Sequence, residues 1–275
     1  MQKHQKNVRV VCFIIALLAA IFTIFPIYWT LITSFKTYAE AFAQPPKFFS
    51  KITFENYVLF LKQNNVLTFL KNSVIVSVVS VVIPLVLGLF ASYAVTRSKL
   101  PGKEGYALFL IASRFIPPVS TLIPTYLLFR KFGLYDTLLG LILLNSATNI
   151  PYVVWMMRGF IKDVPLSIEE SAWLDGASRL RTFVEIVLPM CIPGVAATAV
   201  MSFCFAWNEF MFAMNLTSKA AKTLPLAMMT YMGEAGNEWQ MMATAGIVIL
   251  LPTIIFTVIT HRNLGSGFSF GSVKE

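Results

Sequence analysis

Apolar residues gather into six long stretches, at residues 10–32, 73–95, 106–128, 138–157, 190–214 and 242–260. A helix of about 20 apolar residues crosses the hydrocarbon core of a bilayer. The pattern therefore predicts an all-α integral membrane protein with six transmembrane helices. The first stretch is too long for a signal-peptide core and lacks a convincing cleavage site, so it is expected to remain as a span. Prolines interrupt the stretches at Pro26, Pro84, Pro117, Pro118, Pro124, Pro193 and Pro252. Each removes a backbone donor, and lipid tolerates this only where a neighbouring helix or a cavity satisfies the backbone. A conduit with moving helices and a plain bundle both fit.

One polar segment, residues 159–189, breaks this pattern between the fourth and fifth stretches. It contains EESAWLDGASRLRTFVEIVLP, from Glu169 to Pro189. Ser167 and Glu170 have the spacing of a capping box, which predicts a short helix from about Ile168 to Leu174. Gly176 allows a bend, Asp175 can cap a second helix, and that helix is expected through Arg181 to Val187. Trp173, Ala177, Leu180, Val184 and Val187 form one apolar stripe if the helical phase survives the glycine. Acids and bases are balanced, unlike the Lys/Arg-rich face of a lipid-surface helix. A protein-docking element is the better reading.

Composition supports the membrane assignment. Hydrophobic residues make up 57% of the 275 residues and charged residues 13%, against about half and a quarter in soluble domains. The net charge of +9 reflects basic loops near anionic lipid, and no nucleic-acid motif accompanies it. Lys3, Lys6, Arg9, Arg97, Lys99, Lys103, Arg158, Lys162, Arg179, Arg181, Arg262 and Lys274 share one face, which is expected to place both termini in the cytoplasm. Inside the apolar stretches Arg114, Asn145, Asn149, Trp207, Asn208 and Glu209 stand out. They either line a translocation path or fix helix packing. Cys12, Cys191 and Cys204 have no partners at metal-ligand spacing and read as small buried hydrophobes. No Walker A, zinc-protease or nucleophile-elbow motif is present, so no catalytic residue, metal or cofactor is assigned to this chain.

The polar segment resembles the EAA loop of binding-protein-dependent ABC importer permeases. Glu170-Ser171-Ala172, then Gly176, then Ile186-Val187-Leu188-Pro189 keep the spacing of that motif, with Ser171 in place of an alanine. SFKTYAEAFAQPPKF, NSVIVS, FIPPVSTLIPTYLLFRKFGLYDTLLGLIL, WNEFMFA and the terminal GSVKE resemble the carbohydrate-uptake branch, typified by the G permease of maltose transport. The resemblance implies a second permease subunit as a heterodimer partner, two ATP-binding cassette subunits carrying ATP and magnesium, and an extracytoplasmic solute-binding protein. It implies the bacterial cytoplasmic (inner) membrane. Glu169, Glu170, Ser171, Ala172, Asp175, Gly176, Arg179, Leu188 and Pro189 would form the coupling surface towards the ATPase. Gly271, Ser272, Val273 and Lys274 would supply a tail contact to it. Tyr231, Met232, Gly233, Glu234, Ala235, Gly236 and Asn237 would form the loop that meets the binding protein. A secondary transporter or channel driven by an ion gradient is the alternative. It would need inverted repeats and intramembrane acids, and only Glu209 is an acid placed inside a span.

Overall fold

The computed structural model describes residues 2–62, 65–99, 101–233 and 236–267. Four of the described helices are long and apolar enough to cross a membrane: Arg9–Ser34, Val66–Arg97, Leu138–Asp163 and Trp239–Ile259. Two bent helix pairs, Lys103–Phe115 with Pro118–Lys131 and Arg179–Met190 with Ile192–Trp207, raise the count to six if each pair is one span. The helices in chain order are α1 (Gln2–Ser34), α2 (Tyr38–Ala41), α3 (Glu55–Lys62), α4 (Val66–Arg97), α5 (Lys103–Ala112), α6 (Pro118–Lys131) and α7 (Leu138–Asp163). There follow α8 (Leu166–Leu174), α9 (Arg179–Thr182), α10 (Leu188–Met190), α11 (Ile192–Trp207), α12 (Met211–Leu216) and α13 (Trp239–Gly267). A two-residue hairpin, β1 (Met232–Gly233) with β2 (Gly236–Asn237), is the only sheet among the described residues.

Two predicted spans are not straight. The third breaks by 89° between Phe115 and Pro118. Proline pushes the residue before it out of the helical region, and Ile116 and Pro117 accordingly have ψ of 122° and 126°. Pro118 then opens α6, where its missing N–H costs nothing. The fifth predicted span likewise splits. A 77° break separates α9–α10 from α11, α11 stops at Trp207, and α12 starts afresh at Met211. Pro26, Pro84, Pro124, Pro151 and Pro252 stay inside helices.

The described residues form two compact bodies, one within residues 1–67 and 227–251 and the other within residues 68–226 and 252–275. In the first, Asn56 closes the end of α1 by donating to the carbonyls of Ser34 and Lys36 at 2.9 and 2.8 Å. These are helix-terminal acceptors that no backbone donor reaches. Thr244 donates to the same Ser34 carbonyl at 3.2 Å. Thr37 and Glu40 form a capping box at the start of α2.

In the second body, α4, α7 and the polar segment enclose Leu89, Val153, Met157, Ile161, Phe183, Val187 and Cys191. A Cβ on Gly88 would lie 2.6 Å from Val153 Cγ1, so α4 and α7 meet where only glycine fits. A further cluster joins Val76, Leu141, Phe212, Ala213, Leu216 and Leu226. Beside it, the turn at residues 217–224 is stapled from two sides. Asp136 accepts the backbone N–H groups of Ser218, Lys219, Ala220 and Ala221 and the Ser218 hydroxyl, at 2.9–3.2 Å. Asn72 donates to the carbonyls of Ala220 and Lys222 at 2.9 Å, and Ser73 accepts from the Leu224 N–H at 2.7 Å.

Partial burial alone would raise the Asp136 carboxyl. The N–H groups of Ser218, Ala220 and Ala221 outweigh that and hold it well below the usual carboxylate range. Its contribution to stability is therefore full above the unfolded pKa of about 3.9 and is lost only as pH falls through the lower folded value. Amide exchange at residues 218–221, corrected for intrinsic rates, should stay protected from pH 7 down to about pH 4. Asp136→Asn should speed it by about tenfold at neutral pH.

Candidate functional site

The polar segment folds around one buried carboxylate. α8 starts at Leu166, so Ser167 and Glu170 lie inside it and the expected capping box does not form. The Ser171 hydroxyl instead donates to the Ser167 carbonyl at 2.9 Å. Pro165, preset for a helix start, moves the first turn towards the N-terminus. Gly176 sits at φ +85°, a conformation that costs a side-chain-bearing residue about 1–2 kcal/mol. Asp175 ends α8, and Ser178 caps α9 by accepting from the Arg181 N–H. The left-handed glycine resets the helical phase. A π-turn at Phe183–Val187 shifts it again, ahead of Pro189, which has no N–H for the Glu185 carbonyl. The predicted apolar stripe is therefore broken: Val187 is buried, but Leu180 and Val184 are 61% and 45% exposed.

Glu169 is fully buried. Arg97, at the end of α4, donates its Nε to Glu169 Oε1 at 2.6 Å. Its Nη2 reaches the carbonyls of Ile161 and Val164 at 2.8 and 2.6 Å, acceptors at the end of α7. Tyr93 donates its hydroxyl to Glu169 Oε2 at 2.8 Å and packs its ring 4.6 Å from that of Phe183. One ion pair thus ties α4, α7, α8 and the π-turn together. The motif places Glu169 among the docking residues; it faces inward instead, and Ala172 is buried with it. Glu170, Ser171, Asp175, Gly176, Arg179 and Pro189 are exposed, as is Leu174 at 89%. Leu188 is half-buried against the core, and Arg179 lies 5.0 Å from the Trp173 ring. In the sequence Arg97 counts only as a loop charge. The signal that points to it is its i,i+4 spacing from Tyr93 at the end of an apolar helix.

A cavity of about 430 Å³ lies where the two broken spans meet α7. Arg114, Asn145, Asn149 and Glu209 all line it, with Ala147, Thr148 and Phe205. Arg114 sits in the turn at the break, 4.4 Å from the Phe205 ring and 5.4 Å from that of Tyr152. Its Nη1 has no partner, and neither does Asn149 Oδ1. Pro151, in the same wall, cannot donate to the Ala147 carbonyl one turn earlier. The two asparagines also pack: Asn145 donates to the Leu141 carbonyl at 2.9 Å, and Asn149 makes long 3.5 Å contacts to the Ser80 and Ser202 carbonyls. Glu209 uses its carboxylate on the N–H groups of Phe212 and Ala213, capping α12. Trp207 and Asn208 do not line the cavity. Trp207 is 1% exposed and stacked on Phe203, and Asn208 donates back to the Cys204 carbonyl.

Tyr231 is 3% exposed and packs on Phe60, at the root of the hairpin rather than its tip. Glu234 and Ala235, and the tail Gly271, Ser272, Val273 and Lys274, lie outside the described residues. No group of three or more His, Cys, Asp or Glu able to hold a metal occurs among the described residues.

Removing one member of a buried ion pair leaves an uncompensated charge, at a cost of about 3–5 kcal/mol. Glu169→Ala should lower the thermal unfolding midpoint of the solubilised chain accordingly. Glu170→Ala, one position on but exposed, should change stability by less than about 0.5 kcal/mol.

Residues 85–269 match the family model described as binding-protein-dependent transport system inner membrane component. The chain is 34% identical to the trehalose transport system permease protein SugB of Mycobacterium tuberculosis, over 82% of this chain and 83% of that one. It is 30% identical to the diacetylchitobiose uptake system permease protein DasC of Streptomyces coelicolor, over 91% of this chain and 92% of that one. Its fold matches a chain of a bacterial ABC transporter involved in the import of the acidic polysaccharide alginate. That match has a TM-score of 0.77 at 20% identity and covers 94% of this chain and 96% of the other. With more than half its length matched by the model and these two relatives aligned over most of their length, the chain belongs to the binding-protein-dependent transport system inner membrane components, the permease subunits of ABC importers.

Proposed function

We propose that the chain is the transmembrane permease subunit of an ATP-driven, binding-protein-dependent importer of a carbohydrate, and that residues 159–189 are its coupling loop. The observation that carries this reading is the division of labour between two adjacent glutamates. Glu169 locks the loop to α4 and α7 through Arg97, while Glu170 is left on the outer surface. A push on the exposed face then moves the ends of two spans together, because the connection is a buried, multiply hydrogen-bonded ion pair. Trehalose and diacetylchitobiose, named for the two relatives, support a carbohydrate as the cargo.

In this reading two ATP-binding cassette subunits supply ATP and magnesium and dock on Glu170, Ser171, Asp175, Gly176 and Arg179. A second permease subunit completes the membrane conduit, and an extracytoplasmic binding protein delivers the sugar to the hairpin after Tyr231. Six spans with both termini in the bacterial cytoplasm result if each bent pair counts as one. The cavity at the helix breaks is this chain's share of the path. Non-helical backbone at membrane depth survives only where protein or a water-filled cavity satisfies it. The Arg114 guanidinium and the Asn149 amide, both in the cavity wall, offer hydrogen-bonding groups to sugar hydroxyls. Family membership gives no support to an ion-gradient transporter.

The test reconstitutes the chain with its co-purifying partners and follows ATP hydrolysis stimulated by sugar-loaded binding protein. Glu170→Ala combined with Gly176→Pro should abolish the stimulation while the complex still assembles. A chain that purifies alone and transports solute without ATP would sink the reading. For the path, Arg114→Gln should cut sugar transport about tenfold or more with stimulated ATPase activity preserved, the loss of one hydrogen bond to a charged donor being worth about 1.5–3 kcal/mol. Equal loss of both activities would mark Arg114 as a packing residue.

A further inference from the structure

Apart from the residues proposed to dock the ATPase and the membrane cavity, a groove of about 350 Å³ lies along the last turns of α7, where that helix runs into the first residues of the polar segment. Glu104, Trp155, Arg158, Gly159 and Lys162 line it. Its charge is unbalanced: Arg158 and Lys162, the latter at 3.5 Å, share the single carboxylate of Glu104. Arg158 is only 6% exposed, yet its Nε–H has no partner. An unmet donor on a buried cation is costly and calls for an acceptor. The floor is open, since a Cβ built on Gly159 meets nothing within 4 Å.

The surroundings are those of a membrane boundary. Trp155 is 39% exposed on one wall, and its ring lies 6.0 Å from the Arg158 guanidinium. Along α5, Tyr106, Leu108 and Phe109 are 62%, 57% and 74% exposed. Tryptophan and tyrosine favour the headgroup level, and basic pockets between spans there bind anionic headgroups.

We propose that this groove binds the phosphate of an anionic phospholipid. The Arg158 guanidinium and the Lys162 ammonium take the phosphate oxygens, Gly159 leaves room for them, and Trp155 sits at the glycerol level. The acyl chains run along the exposed face of α5. The net single positive charge left after Glu104 is paired selects an anionic over a zwitterionic lipid. The site also anchors the segment of α7 whose terminal carbonyls Arg97 holds. The inference rests on α7 crossing the membrane and not on what is transported.

The complex would be placed in nanodiscs of phosphatidylcholine with one-third phosphatidylglycerol, extracted, and its retained lipid counted by native mass spectrometry. Wild type should retain phosphatidylglycerol in preference to phosphatidylcholine. Lys162→Gln should lower that retention about fivefold, as expected for one cation at a membrane surface. Gly159→Leu, whose Cβ meets nothing within 4 Å and whose side chain would occupy the groove, should abolish the preference with an unchanged unfolding midpoint. These two variants carry the test, because Arg158→Gln would also release α5 from α7. Unchanged retention in both would overturn the proposal. So would displacement of the retained lipid by ~10 mM inorganic phosphate, which assigns the groove to a free anion. Loss of partner subunits rather than lipid in Lys162→Gln would assign it to a protein contact, and overturn it too.

Discussion

The fold of the polar segment depends on one buried ion pair. A carboxylate with no solvent exposure survives in a protein interior only when it is paired and its remaining lone pairs are used. Glu169 meets both conditions: Arg97 takes one oxygen and Tyr93 the other. Arg97 then turns its second arm to the terminal carbonyls of α7. The same guanidinium therefore satisfies a buried acid and closes a helix end. No apolar pair would do both, because hydrophobic contact has no direction and would take from the Val164 carbonyl the donor that Arg97 supplies.

Proline chemistry sets the second organising constraint. Pro117 and Pro118 break one span and Pro189 stands where another is reshaped, while Pro151 withholds a backbone donor inside a continuous helix. Lipid tolerates these defects only beside a cavity or another helix. The cavity holding Arg114, Asn145, Asn149 and Glu209 sits among them. Two of these four residues are committed elsewhere, Glu209 to the start of α12 and Asn145 to its own helix. Arg114 and Asn149 keep unpartnered atoms. The carboxylate that would suggest an ion-coupled site is used to cap a helix.

Away from the polar segment, Asp136 and Asn72 hold one turn by hydrogen bonds, while its Ala221 packs into the neighbouring apolar cluster. A single aspartate accepting four consecutive N–H groups makes the turn at residues 218–221 a fixed feature. The Lys219 and Lys222 side chains take no part in holding it.

Local signals were legible in the sequence. Apolar runs marked the long helices, the Glu-Ser-Ala, Gly and Leu-Pro spacing set the polar segment apart, and Pro-Pro marked a weak point in the third span. These features act within a few residues, through backbone donors and solvation. Thr37 and Glu40 form a capping box outside every predicted element, with the same spacing as the Ser167–Glu170 pair, where none forms because Pro165 starts the helix earlier. Which of two adjacent glutamates would face inward was not local. It depends on where Arg97, 72 residues away, arrives when α4 packs on α7. The broken phase at Gly176 and the π-turn likewise come from the need to bury Phe183 and Val187 against that same core. The sequence by itself determined the apolar spans, their weak points and the motif. Only the tertiary structure decided which charges are buried, because the cost of burying a charge is set by partners that folding brings from afar.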